Sequence, residues 1–302
     1  MTGLLAVHAH PDDETLSTGA LLATWAAAGR PVTLVTCTRG ERGEVIGAEL
    51  APLEGDGPAL AAHRTGELAG ALSALGVRDH VFLDRLVGVT GPVEDSGMEW
   101  LDVGRAGPSS DRSQNAFVDV PVDVAARAVA ELVLDRRPDV VVGYEPGGGY
   151  GHPDHVHAHR VMQRAVELAA AAGHRVPAVL WAALPEDDLR SGYRVVAEAP
   201  WDGMAAPDPD GPLPSAAVPA EQVDVEVDVE PVLDRLLAAF DAHPTQIQAV
   251  RRLPHPGTVA GLALSNAVLQ PVLARECYRF APGRPPGDVR WPAGVSARAA
   301  RR

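Results

Sequence analysis

Short apolar runs rich in β-branched residues alternate along this chain with stretches whose apolar residues recur at helical spacing, and that alternation constrains the fold more than any other feature. Leu4–His8 reads as a strand. Residues 15–28 read as the helix behind it, with Leu21, Leu22 and Trp25 on one face and Gly29 as its stop. Residues 31–38 (PVTLVTCT) form the second strand, 63–75 a helix stopped by Gly76, and 81–83 a brief strand. Val122–Arg136 carries a stripe of Val122, Ala125, Val129 and Leu132 that Pro138 ends; 140–144 (VVVGY) is a strand, and a Gly-rich loop leads to a helix over 153–172. Strand–helix–strand units of this kind pair in parallel through right-handed crossovers. The expectation is an α/β protein: a Rossmann-like, mostly parallel sheet flanked by helices, with a smaller C-terminal α+β part.

In such sheets ligands gather beyond the carboxyl ends of the strands, and two similar runs lie there. His10, Pro11, Asp12 and Asp13 follow the first strand directly, and His152, Pro153, Asp154 and His155 follow the 140–144 strand across one loop. His10, Asp13 and His155 can supply two imidazoles and a carboxylate to one divalent ion, leaving a coordination position for water, as catalytic sites do and structural ones do not. The donor set suits zinc and also ferrous iron, one ion per subunit. Asp12 is then a surplus carboxylate, placed to take a proton from metal-bound water. His152 is free to face the other side of a substrate, where an imidazolium would stabilise an oxyanion and protonate a leaving amine. Asp154 is a candidate to orient His152, and Tyr150 a further oxyanion donor. Metal-assisted hydrolysis is the leading reading.

Plainer readings compete with it. HPDD alone is also a turn with an N-cap Asp, and His152, His155, His157 and His159 fit a solvated helix face. His155 and His159 have the i, i+4 spacing of a zincin pair, but Val156 stands where that motif needs Glu. His157 and His159 are therefore read as structural. Gly147, Gly148 and Gly149 lack the pattern of a phosphate cradle and read as flexibility for admitting substrate. A non-catalytic metal- or ligand-binding module on the same scaffold is the reading from another class; Asp12 and His152 beside the ligands argue against it.

The catalytic domain is expected over 1–188, with 189–302 as a C-terminal part that completes the substrate cleft. Within that part 200–219 is a mobile linker rich in Pro, Asp and Gly, and 223–229 alternates Val with acidic residues as a half-exposed strand does. Pro231 opens an amphipathic helix reaching about residue 242. A disordered tail from about 283 carries Arg284, Arg290, Arg298, Arg301 and Arg302.

A formal charge of −14 and a pI near 5.2 argue against a nucleic-acid partner, whose backbone demands clustered cations. Cys37 and Cys277 make no disulfide framework, which points to the cytoplasm. Cys37 itself reads as a buried strand residue. No apolar run approaches the roughly 20 residues of a membrane span, and no basic stretch precedes the first strand as in a signal peptide. The expected partner is a small molecule; a homo-oligomer is left open.

The strings AVHAHPDDE, TRGERGEVIG and GGGYGHPDH, with EDSGM around Asp95, DRSQ at 111–114 and ALSN at 263–266, closely resemble the LmbE-like or PIG-L family of zinc-dependent sugar de-N-acetylases. The resemblance covers most of the chain. It implies metal ligation by His10, Asp13 and His155, Asp12 as base, and supporting roles for His152, Tyr150 and Asp154. It further implies that Arg64, Asp95 and Ser17 hold substrate hydroxyls. Ser17 and the GERGE string are most similar to the branch that deacetylates N-acetylglucosaminyl-inositol to glucosaminyl-inositol and acetate in mycothiol biosynthesis. The related mycothiol S-conjugate amidases tend to carry Lys and GERGD at these places. The chain departs from the family at Gly147, where members more often show Asn before two glycines.

Overall fold

The computed structural model describes residues 3–102, 105–283 and 286–298. Its main sheet runs in the order β14-β9-β13-β7-β6-β1-β2-β3, with β8 pairing β7. The strands are β1 Leu4–His8, β2 Val32–Thr36, β3 Asp79–Phe82, β6 Val140–Gly143, β7 Ala178–Pro185, β8 Ala217–Val218, β9 Val225–Asp228, β13 Arg275–Phe280 and β14 Val295–Ala297. The segment from β3 to β7 is parallel, and β13 joins β7 antiparallel. A hairpin, β4 Met98–Asp102 with β5 Arg105–Pro108, and an antiparallel sheet of β10 Ile247–Arg252, β11 Thr258–Leu264 and β12 Leu269–Leu273 lie outside it. No described helix is long and apolar enough to cross a membrane.

Pleating divides the central strands between two cores. Leu4, Ala6, Val140 and Val142 face helices α1 Asp13–Ala27, α2 Gly57–Leu75 and α7 Leu233–Asp241, whose Leu21, Leu72 and Phe240 join the same cluster. Leu5, Val7 and Val141 face α3 Val122–Arg136 and α5 Pro153–Ala171. Strands buried on both faces are nearly continuous in apolar residues, which is how β1 and β6 read in sequence. Two other helices complete the set, α4 Gly148–Gly151 before α5 and α6 Glu186–Glu198 after β7.

Most predicted elements stand within two residues of their observed bounds. Helix α2 begins six residues earlier than its apolar stripe announces, because Asp56 accepts the Ala59 N–H at 3.1 Å and a proline occupies the first turn. In the C-terminal part, strands β9, β13 and β14 extend the main sheet, and Leu233, Leu236, Ala239 and Phe240 of α7 join the cluster formed by α1 and α2. The tail expected to be disordered from about 283 is ordered over 286–298: Val295, Ser296 and Ala297 pair with β9, and the Trp291 ring packs edge-on against Trp25. Arg284, Arg301 and Arg302 lie outside the described residues. The 200–219 stretch is tied down by an Ala205–Val268 bridge and by Arg190 donating to the Gly211 carbonyl at 3.1 Å.

Topology places the site. From β1 the sheet grows one way through β2 and the other way through β6, and the crevice where the order reverses lies at the carboxyl ends of these two neighbours. The loops leaving β1 and β6 are the ones that carry the two HPD runs.

Candidate metal centre

Strand β1 delivers His10 and α1 begins at Asp13, so the intervening turn holds both first-motif donors within one residue pair of each other. The His10 N–H donates to Asp13 Oδ2 at 2.9 Å, and His10 Nδ1 stands 3.3 Å from the same oxygen. From the second motif, His155 Nε2 lies 3.3 Å from Asp13 Oδ1. One nitrogen from each of His10, His152 and His155 falls in a buried group spanning at most 4.8 Å.

Hydrogen bonding selects which atoms are free. The Gly148 carbonyl accepts from His155 Nδ1 at 3.1 Å, and Nε2, turned toward Asp13, is buried with no geometrically good hydrogen-bond partner. Such an orphan in a dry, carboxylate-lined cluster is what a cation would satisfy. Gly148 permits the approach: its φ is +70°, and a Cβ there would come within 2.9 Å of the His155 Cβ. His10 keeps Nδ1 toward Asp13 because Nε2 is 3.1 Å from Asp154 Oδ2, with Asp95 Oδ1 at 3.6 Å. The carboxylate–histidine arrangement fixes tautomer and ring orientation of a metal-binding imidazole. The convergent nitrogens of His10, His152 and His155, with the Asp13 carboxylate 3.3 Å from two of these rings, therefore fit a cation.

Electrostatics agree. For Asp13, burial raises the carboxyl's pKa but is outweighed by His155 and His10, so it sits well below the usual range. For His10, burial is outweighed by Asp95, Asp13 and Asp154, and its pKa stands well above 6.5. The pocket is thus built to hold positive charge at this spot, whether a proton or a metal.

Asp12 occupies the N-cap position of α1, yet its side chain makes no cap hydrogen bond. The carboxylate is therefore not spent on capping the helix. Its backbone has φ 118° and ψ −35°, a conformation that costs a non-glycine residue on the order of 1–3 kcal/mol and persists only where its surroundings hold it. Burial pushes its carboxyl up to about 7 against the pull of Arg64. Arg64 donates to the Pro11 carbonyl at 2.5 Å, to Asp12 Oδ2 at 3.2 Å and to the Gly40 carbonyl at 2.9 Å.

His152 caps α5, its Nδ1 accepting the Asp154 N–H at 3.1 Å, which leaves Nε2 as the hydrogen-bearing atom. Burial, aided by His10 and His155, holds it well below 6.5. Burial thus favours a neutral Nε2–H donor over the imidazolium expected from sequence. Asp154 also differs from expectation: its backbone meets His152, while its carboxylate serves His10 and accepts the Ser96 N–H at 2.9 Å. The Tyr150 ring stands edge-on to His155 at 5.1 Å, and burial keeps its phenol protonated well beyond 10. Asp95 is buried beside His10, and its N–H is held by Glu41 Oε2 at 3.0 Å. Ser17 lies apart from this cluster, half-buried in α1, with its carbonyl 3.5 Å from the Tyr278 hydroxyl. His157 and His159 are bound to the Val120 and Tyr144 carbonyls, outside the cluster, as their structural reading requires.

Sequence reasoning missed Tyr144. At the end of β6 its ring stacks on His155 at 4.3 Å, and its hydroxyl accepts the Ala9 N–H at 2.8 Å and hydrogen-bonds Asp13. Its position at a strand end beside the site was the available signal. It also missed Glu14 and His243, taken up below.

Residues 5–166 match the family described as GlcNAc-PI de-N-acetylase (PIG-L). Over 290 residues the chain is 49% identical to a 1D-myo-inositol 2-acetamido-2-deoxy-alpha-D-glucopyranoside deacetylase of Kineococcus radiotolerans, covering 93% of this chain and 77% of that one. A protein of the same description from a Nocardioides species is 41% identical over 295 residues, covering 93% and 92%. Among solved structures, the N,N'-diacetylchitobiose deacetylase of Pyrococcus horikoshii superposes with a TM-score of 0.48 at 18% identity, covering 80% of this chain and 69% of that one.

Proposed function

The chain belongs to the PIG-L family of de-N-acetylases, and on that premise we propose that it hydrolyses the N-acetyl amide of N-acetylglucosaminyl-inositol, the activity its relatives are named for, giving glucosaminyl-inositol and acetate as a step of mycothiol biosynthesis. The activity is placed in the cytoplasm, on a small amino-sugar substrate. The observation that carries the reading is the buried Nε2 of His155 beside Asp13 and His10, with the Asp12 carboxylate, free of any capping bond and held by Arg64, at the same turn.

His10, Asp13 and His155 would hold the ion, and zinc suits two imidazoles and a carboxylate, with ferrous iron the alternative. When bound, such an ion supplies Lewis acidity: it polarises the amide carbonyl and acidifies water. Asp12, anchored by Arg64, takes the proton of the attacking water; a pKa near neutrality suits that task and lets the acid return the proton to the departing amine. His152 Nε2–H and the Tyr150 phenol donate hydrogen bonds to the oxygen on which negative charge develops. Asp154 keeps His10 in its ligating tautomer. Asp95 would accept from sugar hydroxyls, while the guanidinium of Arg64, given over to Asp12, Pro11 and Gly40, would serve the substrate by fixing the turn that meets it.

Acetate release from N-acetylglucosaminyl-inositol, measured with and without a chelator and beside a mycothiol S-conjugate, tests the proposal. Chelator-sensitive release favouring the former is expected. Absence of turnover by the metal-loaded protein refutes it.

A further inference from the structure

The unusual backbone of Asp12 has a visible restraint. Its N–H donates to Glu14 Oε2 at 2.9 Å, and Glu14 Oε1 accepts from the Thr15 hydroxyl at 2.6 Å and is 2.9 Å from His243 Nε2. Glu14 and His243 are both wholly buried. Thr15 follows Glu14 in the same helix, but His243 arrives from the turn after α7, far along the chain. That turn is itself fixed: the His243 N–H donates to the Phe240 carbonyl, and the His243 carbonyl accepts from Gln246 and Ile247. Its neighbours are tied to α2 and to the loop after β2. Thr245 donates through N and Oγ1 to Glu67 at 2.9 and 2.6 Å, and Gln246 Nε2 donates to the Glu44 carbonyl at 2.8 Å.

A glutamate carboxylate free to rotate would restrain its neighbour's backbone weakly; one held at its second oxygen by a buried imidazole has one pose. We propose that His243, acting through Glu14, is a positioning residue that holds Asp12 at positive φ and so aims the carboxylate that takes the proton. The inference rests on the reading of Asp12 as base. His243 is wholly buried behind Glu14, so its contribution reaches turnover through Asp12.

His243→Leu and His243→Gln are to be compared in the parent and in an Asp12→Asn background, with metal content and thermal melts measured throughout. In the parent, H243L is expected to lower kcat at least about tenfold with KM within about twofold and metal unchanged, whereas H243Q, whose amide still donates to Glu14, stays within about threefold. In D12N both substitutions are expected to change the residual rate by less than about twofold, since their effect passes through the missing carboxylate. A crystal structure of H243L is expected to show Asp12 relaxed from its φ near +118°. Equal losses in both backgrounds, a loss confined to KM, or an unmoved Asp12 backbone overturns the proposal. Should H243L fail to fold, His243→Asn, polar but too short to reach Glu14, takes its place in every arm. A parent inert toward N-acetylglucosaminyl-inositol, or a D12N variant as active as the parent, would refute the functional reading instead; the crystal structure still judges the restraint.

Discussion

Asp154 Oδ2 lies 3.1 Å from His10 Nε2, although the two residues come from motifs on different strands of the sheet. The contact closes the site from behind: it orients a ligand of the first motif with a carboxylate of the second, while the backbone of the same aspartate sets His152.

Replacing Asp12 with Asn is expected to lower kcat by at least about a hundredfold, the usual weight of a proton-transfer group. Metal content should remain at the parent's level, because Asp12 is not in the ligand set. Parallel elemental analysis and acetate assays check both.

Removing the ion should abolish turnover and lower the melting temperature, since a ligand that binds only the folded state stabilises it by mass action. Adding zinc to the stripped protein should restore both. His155→Ala should respond to neither treatment, having lost a buried ring nitrogen of the cluster that has no hydrogen-bond partner.

Tyr144→Phe removes the acceptor for the Ala9 N–H and the hydrogen bond to Asp13 while keeping the ring on His155. Loss of such a support to a metal ligand is expected to weaken metal binding roughly 10- to 100-fold. A competition titration with a chromophoric chelator measures it.

Gly40 has φ +68°, and a Cβ there would lie 1.8 Å from Arg64 Nη1. Gly40→Ala should displace the guanidinium from Asp12 and reduce kcat by about tenfold or more, with a stability cost of about 1 kcal/mol or more from the positive φ. Steady-state kinetics and a denaturant melt separate the two losses.

Glu276 offers a pH test outside the metal cluster. Burial pushes its carboxyl from 4.5 up to about 7, against hydrogen bonds from the Tyr278 hydroxyl and the Ala20 and Leu21 N–H groups. Between those values the folded state retains a proton that the unfolded state has lost, so this group's contribution is greatest below pH 4.5 and falls as pH rises to about 7. The gap corresponds to at most about 3 kcal/mol, less for the part of the residue that meets solvent. Glu276→Gln should flatten the stability profile over that window in chemical denaturation.

The sequence announces what depends on local pattern. The buried strands β1 and β6, the stripe of α3 and the two HPD runs at strand ends are all visible as periodicity and spacing. What escaped depends on partners remote in the chain. Asp154 looks like a companion of His152 two residues away, and only the packing of β6 on β1 delivers it to His10. Tyr144 reads as one more apolar strand residue until its hydroxyl is seen at Ala9. Val295 and its neighbours, lying among Pro, Gly and Arg, have no strand pattern of their own and are ordered by the free edge of β9. The neutral state of His152 follows from burial, which composition does not disclose.

The β1–β6 seam carries a kinetic implication. Neither motif alone holds the complete proposed ligand set, so affinity for an ion would come into being only after these two strands have docked, a late and topologically demanding event. Metal uptake would then time the closing of the sheet, and the stabilisation it confers should appear as slower unfolding rather than faster folding.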